Sequence, residues 1–431
     1  MHRIAFVLLI AIGLPAAAAN PQVRIHTSSG ETLTRELPGH APDRVIVEFR
    51  EQPLLARAAK GGVRANAAAG LDALHDQFAS DLERIHHALR GKVATASADA
   101  PRVEHRYRLA FAGASARADR EALPAIRALA YVRAVYPDRR VRATLERSVP
   151  HIGAPQVWEQ FHARGAGIRV AVVDSGIDYT HPALGGAFGP GHKVAGGYDF
   201  VNEDADPADD HGHGTHVAGI VAGSAAPVVG VAPEATLLAY KVLDEYGYGL
   251  DSWILAAIER LVDPDGNGNP SDRVDVANLS FGRFAANADP VVAAVEQAVA
   301  AGVVFCIAAG NEGSPFTVGS PGIAPSAVTV GASTLEDDPT SFSSSGPALH
   351  SWSVKPEVTA PGLDIVSAAI GGGTRAASGT SMAAPHTAGL AALIRQLHPA
   401  WTPAEVKAAI VGTAHAQWSV ISAGAGRIDA L

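Results

Sequence analysis

Between residues 149 and 411, short Val-rich runs alternate with segments of helical period, and this alternation restricts the fold more than any other feature of the chain. The runs Val170–Val173, Leu237–Val242, Val274–Leu279, Val303–Ala308 and Val328–Val330 are apolar at nearly every position. A strand that lacks polar alternation is one covered on both faces. Between and after these runs, His213–Gly223, Ser252–Leu261, Val291–Ala301, Ser381–Leu397 and Thr402–Val411 read as helices. Strand and helix in turn predict an α/β fold, a mostly parallel sheet with helices on both faces. Sites in such sheets lie outside the carboxyl ends of the strands, and Asp174 and Asn311 both fall just after a strand.

The stretch Gly379-Thr380-Ser381-Met382-Ala383-Ala384-Pro385-His386 sets a serine in the first turn of a helix. There the N–H groups and the positive end of the helix dipole converge, which favours building negative charge on a substrate oxygen. A serine in that place proves little alone, because serine is also a preferred N-cap. Three further stretches change its weight: Arg169-Val170-Ala171-Val172-Val173-Asp174-Ser175-Gly176-Ile177-Asp178, His213-Gly214-Thr215-His216-Val217-Ala218-Gly219, and Ala308-Ala309-Gly310-Asn311-Glu312-Gly313. A neutral hydroxyl needs a base to become a nucleophile, and imidazole has the suitable pKa. His211, His213 and His216 all offer one. An aspartate would hold that imidazole in one tautomer; Asp174 is one candidate, while Asp178 fits a turn or cap better. Asp, His and Ser in that chain order follow one of the known triad arrangements.

On these four stretches, residues from about 149 to 429 resemble a subtilisin-family (subtilase) serine peptidase. The resemblance implies that Ser381 is the nucleophile, that His213, opening His-Gly-Thr-His-Val-Ala-Gly, is the base, and that Asp174, opening Asp-Ser-Gly-Ile-Asp, orients it. It further implies that Asn311 and the Ser381 N–H form the oxyanion hole. By the same resemblance, Ser280-Phe281-Gly282 and Ala308-Ala309-Gly310 line the primary specificity pocket, with Gly319 at its base. Glycines on the walls and base leave room for a bulky apolar or aromatic side chain, although Glu312 at the mouth could also admit Lys or Arg. An α/β-hydrolase esterase is disfavoured, since the Ser381 motif lacks the second glycine of a nucleophile elbow and the acid precedes the histidine. A binding protein without catalysis is disfavoured because all four functional positions are filled.

Ahead of this region, Val45, Val47 and Phe49 alternate as in a strand, and Leu74, Phe78, Leu82 and Ile85 give Asp72–Leu89 a helical period. Arg106–Phe111 reads as a second strand, Arg120–Ala130 as a second helix, and Val132–Tyr136 with Val141 as a closing edge. This small α+β unit, residues 43–147, resembles the propeptide of subtilases, through Arg106–Gly113 and Val132–Arg139. The resemblance implies an intramolecular inhibitor removed by self-cleavage between about Val141 and Pro150, leaving a catalytic domain of residues 148–431. Charge agrees: residues 1–147 hold 22 Lys and Arg against 15 Asp and Glu, a balance of +7, and the remainder 12 against 28, or −16. Opposite charges draw the two parts together, and so acidic a main unit is a poor partner for nucleic acid.

Met1-His2-Arg3, the apolar run Ile4–Leu14 and the small residues to Ala19 predict a signal peptide, residues 1–19, followed by a flexible lead-in over 20–42. The run is well short of the roughly 20 residues that span a bilayer, so no stable membrane anchor is expected. The expectation is a secreted protein, extracellular or periplasmic, monomeric, acting on proteins and peptides. The one cysteine, Cys306, has no intramolecular partner and reads as a small buried hydrophobe. Catalysis implies no cofactor. The segment Gly223–Gly230 has no Asp or Asn, so a calcium loop that many subtilases carry there is expected to be missing. Asp263, Asp265 and Asn267 open like an EF-hand loop, but Val274 stands where the twelfth-position Glu should be, leaving Asp272 as the substitute ligand. Such a run reads either as a structural calcium site or as a plain turn.

Overall fold

The computed structural model describes residues 22–26, 32–36, 40–58, 65–89, 101–118, 120–143, 148–285, 288–349, 351–416 and 419–431. The signal-peptide expectation therefore lies outside the described residues. Gln22–His26 (β1) and Thr32–Glu36 (β2) pair as an antiparallel hairpin in a separate unit that ends at Gly39. The rest of the chain, from His40, is one compact unit built on two sheets.

The smaller sheet begins with His40–Phe49 (β3), followed by Leu54–Ala58 (α1) and Ala65–Leu89 (α2). Arg102–Tyr107 (β4), Gly113–Arg117 (β5), Leu123–Arg127 (α3) and Val132–Ala143 (β6) complete it. The strand expected over Arg106–Phe111 instead ends at Tyr107, and β5 was not anticipated. The reason is tertiary: the N–H groups of 108–111 bond to a carboxylate of the larger part rather than to a neighbouring strand.

Continuing along the chain come Ala154–Phe161 (α4), Arg169–Asp174 (β7), Val194–Asp199 (β8), His213–Ala222 (α5), a short hairpin of Ser224–Ala225 (β9) and Val228–Val229 (β10), and Thr236–Lys241 (β11). Tyr248–Leu250 (β12), Asp251–Val262 (α6), Val276–Leu279 (β13), Phe281–Gly282 (β14), Pro290–Ala300 (α7), Val304–Ala308 (β15), Val328–Ser333 (β16) and Val358–Pro361 (β17) follow. Ile365–Ala368 (β18), Thr374–Ala377 (β19), Thr380–Leu397 (α8), Pro403–Gly412 (α9) and Val420–Ala423 (α10) end the order.

Seven strands form the main sheet in the order β17-β16-β15-β13-β7-β11-β8, all parallel. Its apolar strands serve two cores. Val170 and Val172 of β7 point into the core that holds α5 and α8, while Ala171 and Val173 point into the one that holds α6 and α7. The second core runs without a break into the smaller sheet, through Phe49, Phe78 and Tyr107. Cys306 is fully buried in the first.

Segments of the later chain extend the smaller sheet. The far end of β6 lies antiparallel between β12 and β14, with Val141 opposite Gly249, Arg142 opposite both Tyr248 and Gly282, and Ala143 opposite Phe281.

Candidate active site

At the carboxyl end of β7, Asp174 is fully buried, and its Oδ1 lies 2.6 Å from Nδ1 of His213, the first residue of α5. The strand and helix come this close because residue 214 is glycine: a Cβ there would sit 2.0 Å from the Gly176 carbonyl and 3.1 Å from the Asp174 Cβ. Asp209 holds the turn that delivers the histidine. Its carboxylate accepts from the N–H groups of His211, Gly212 and Thr215 and from the hydroxyls of Ser175 and Thr215. Burial pushes the Asp209 carboxyl upward even against that many donors. Sequence reading missed this residue. The available signal was an acid a few residues before a helix start, a capping pattern.

Of the other imidazoles, His216 is fully buried, and burial, with Arg375 and His213 adding, brings its pKa down to about 3, so it stays neutral. His211 is half-buried with its ring centroid 6.2 Å from that of His213.

Ser381 is the second residue of α8 and is buried. Its carbonyl accepts from the Ser280 hydroxyl at 2.7 Å, and that hydroxyl accepts in turn from the Asn278 amide at 2.9 Å. The serine is thus fastened to the end of β13. Asn311 sits beyond β15, and its Oδ1 accepts from the Thr380 N–H at 2.8 Å. Since that donor can only meet an oxygen, the bond fixes the amide flip and directs the Asn311 NH₂ away from Thr380. The Thr380 hydroxyl accepts from the Gly310 N–H at 3.1 Å, tying the β15 loop to the helix start a second time.

The expected pocket residues gather at the same sheet edge. Ser280, Phe281 and Gly282 run from β13 into β14, while Ala308 ends β15 and Ala309 and Gly310 follow it. Gly319 spans the two sides, its N–H donating to the Ala309 carbonyl at 3.0 Å. A Cβ at 319 would lie 2.7 Å from the Arg283 carbonyl, so only glycine fits at that position. Glu312 is exposed beside this region.

Away from the site, Asp263, Asp265 and Asp272 bring carboxylate oxygens within 4.8 Å of one another. Asn267 works there as a turn residue, its N–H and Nδ2 donating to Asp265.

Two family matches cover most of the chain: residues 165–426 match the Subtilase family and residues 44–144 match Peptidase inhibitor I9. Among curated relatives, subtilisin E of Bacillus subtilis (strain 168) is 40% identical over 292 residues, 66% of this chain and 70% of that protein. Subtilisin of Bacillus pumilus is 41% identical over 293 residues, covering 66% of this chain and 98% of that protein. Serine protease AprX of Bacillus subtilis (strain 168) is 39% identical over 308 residues, 64% and 68% respectively.

Proposed function

The chain belongs to the subtilase family, and from that premise we propose that it hydrolyses peptide bonds through Ser381, His213 and Asp174, with Asn311 as oxyanion donor. It is a serine endopeptidase with an inhibitor-type N-terminal domain, hence made as a zymogen. The observation that carries the residue assignment is the buried Asp174–His213 hydrogen bond. An acceptor at Nδ1 puts the proton there and leaves Nε2 as the acceptor for the Ser381 hydroxyl proton. The alkoxide then attacks the scissile carbonyl, and the oxyanion takes hydrogen bonds from the Asn311 NH₂ and the Ser381 N–H. His213 returns its proton to the leaving amine, and water repeats the sequence on the acyl-enzyme. No cofactor enters these steps.

The domain assignment is signal peptide 1–19, lead-in 20–42, propeptide 43–147 and catalytic domain 148–431. Strand β6 occupies the cleft as a substrate would, hydrogen-bonded on both sides, which supports inhibition by the chain's own propeptide, with the cut falling between about Val141 and Pro150. Export, as a monomer, is read from the apolar leader. Among the described residues no helix is long and apolar enough to cross a membrane.

A fluorophosphonate should label the processed enzyme at Ser381, located by mass shift of the peptide that contains it. The same preparation should cleave Phe or Leu peptides faster than matched Arg peptides, because the pocket base is bare glycine. Absence of label sinks the assignment, and faster Arg cleavage sinks the apolar preference.

Calcium belongs at Asp263 and Asp265, with Asp272 supplying the third carboxylate and Asn267 shaping the loop. Burial and the neighbouring acids raise the Asp263 carboxyl, a strain that a divalent cation would relieve. Chelation should lower Tm by several degrees, roughly the effect of losing 1–2 kcal/mol from a domain this large. A Tm indifferent to chelator would leave the loop a plain turn.

A further inference from the structure

Strands β12 and β14 flank the cleft in which β6 lies, and the residue immediately after each is charged and buried: Asp251 after β12 and Arg283 after β14. The Arg283 guanidinium bonds both oxygens of Asp251 at 2.8 Å each, and both oxygens of Asp289 at 2.8 and 3.0 Å. Asp251 opens α6 and Asp289 caps α7, accepting from the N–H groups of Val291 and Val292. Each carboxylate therefore sits at the positive end of a helix, with the cation between them. Burial by itself would push the Asp289 carboxyl up, yet the guanidinium overrides it and holds it below the usual range. The backbone of Arg283 is committed as well. Its N–H donates to the Ser320 carbonyl at 2.9 Å and its carbonyl accepts from the Ser320 N–H at 2.8 Å, next to Gly319 at the pocket base.

One residue thus joins three walls: the β12 edge through Asp251, the β14 edge through its own backbone, and the pocket base through Ser320. We propose that Arg283 is a positioning residue that fixes the separation of the two strands between which a substrate must thread. Its reach is directional. Ala143 and Arg142 lie opposite Phe281 and Gly282, so in continued register Arg283 stands opposite Val141, upstream of the bond to be cut. Misplacing the β12 edge then weakens substrates long enough to pair with Gly249 and Leu250, and spares those that stop short of it.

This inference rests on the reading that substrates follow the path of β6. The test compares two peptide p-nitroanilides with the same terminal Phe, one with two residues before the cut and one with five. Arg283→Lys keeps the charge and loses the two-sided fork, so kcat/KM on the five-residue substrate should fall about tenfold, mainly through KM. On the two-residue substrate the fall should be several times smaller. Because Arg283→Lys could fold poorly, the triple variant Asp251→Asn, Arg283→Met, Asp289→Asn removes the buried charges together and should show the same length dependence. Fluorophosphonate titration counts the active enzyme in every sample. Equal losses on both substrates, or none in titrated enzyme, overturn the positioning role. A wild-type enzyme that gains nothing from the three extra residues overturns instead the reading that substrates take the β6 path.

Discussion

Replacing Ser381 by alanine should lower kcat about 10⁶-fold, a magnitude carried over from a relative, and should leave the secreted chain joined to its propeptide. The arrangement behind this expectation is cooperative. With no hydroxyl to deprotonate, the imidazole held by Asp174 has nothing to activate, and only the oxyanion donors still assist water. Asp174→Asn separates the two contributions. Its amide can present NH₂ to Nδ1 and so move the imidazole proton to Nε2, the wrong tautomer, which should cost about 10⁴-fold in kcat with the serine still present. Amino-terminal sequencing of the secreted wild type and both variants, beside their turnover of a Phe peptide, provides the check. A Ser381→Ala chain that is still cut between about Val141 and Pro150 in a host lacking other proteases would remove self-processing. Unimpaired turnover by Asp174→Asn would remove the triad.

The parts of the molecule readable in the sequence are those where a local pattern and a tertiary role coincide. Strands β7, β13 and β15 are buried on both faces, so their residues are apolar whichever way they point, and their ends could be read to within one or two residues. Asp174, His213 and Ser381 each stand at an element boundary inside a distinctive short run, which is why the candidates could be named before their geometry was known. Strand β8 escaped notice because Gly196 and Gly197 interrupt its pattern. Those glycines are a packing requirement, since a Cβ at 197 would fall 1.9 Å from the Ala239 carbonyl of the adjoining strand. Strand β17 is four residues long and ends in Pro361, too short to carry a period. Arg283, Asp251 and Asp289 read individually as ordinary surface charges; only the meeting of two helix starts and a strand end makes them one cluster. The strand expected over Arg106–Phe111 follows from its apolar side chains, but beyond Tyr107 the backbone of Arg108–Phe111 is claimed by Glu259, 148 to 151 residues further along the chain.

Glu259 is accordingly the residue whose loss should most weaken the hold of the propeptide. Its two oxygens accept from the N–H groups of Arg108 at 3.1 Å, Leu109 at 2.7 Å, Ala110 at 2.7 Å and Phe111 at 2.9 Å, and burial still raises its carboxyl. Glu259→Ala strands those donors in the interface, at about 1–3 kcal/mol for each that finds no water, so inhibition should weaken roughly 10²–10³-fold. Peptide turnover by the released enzyme should change little, because the Glu259 carboxylate bonds to residues 108–111 of the propeptide and to none of Asp174, His213 and Ser381. The reciprocal contact adds a pH dependence. Asp138 of β6 is fully buried and accepts from the N–H of Ser252 at 2.8 Å and from its hydroxyl; burial, with Asp251 adding and Ser252 and Arg44 opposing, raises its pKa to about 7. A free carboxyl near 3.9 therefore takes up a proton on docking, and affinity should fall by at most about tenfold per pH unit between about pH 4 and pH 7, then level off. Burial lowers His75 and His105, whose effect runs the other way below about pH 6.5, so wild type must be compared with Asp138→Asn at each pH. In the cleaved, non-covalent complex the ratio of the two inhibition constants should widen steadily as pH rises through that window. A constant ratio would mean that Asp138 stays ionised in the docked state, with the α6 amino terminus and Arg44 outweighing its burial.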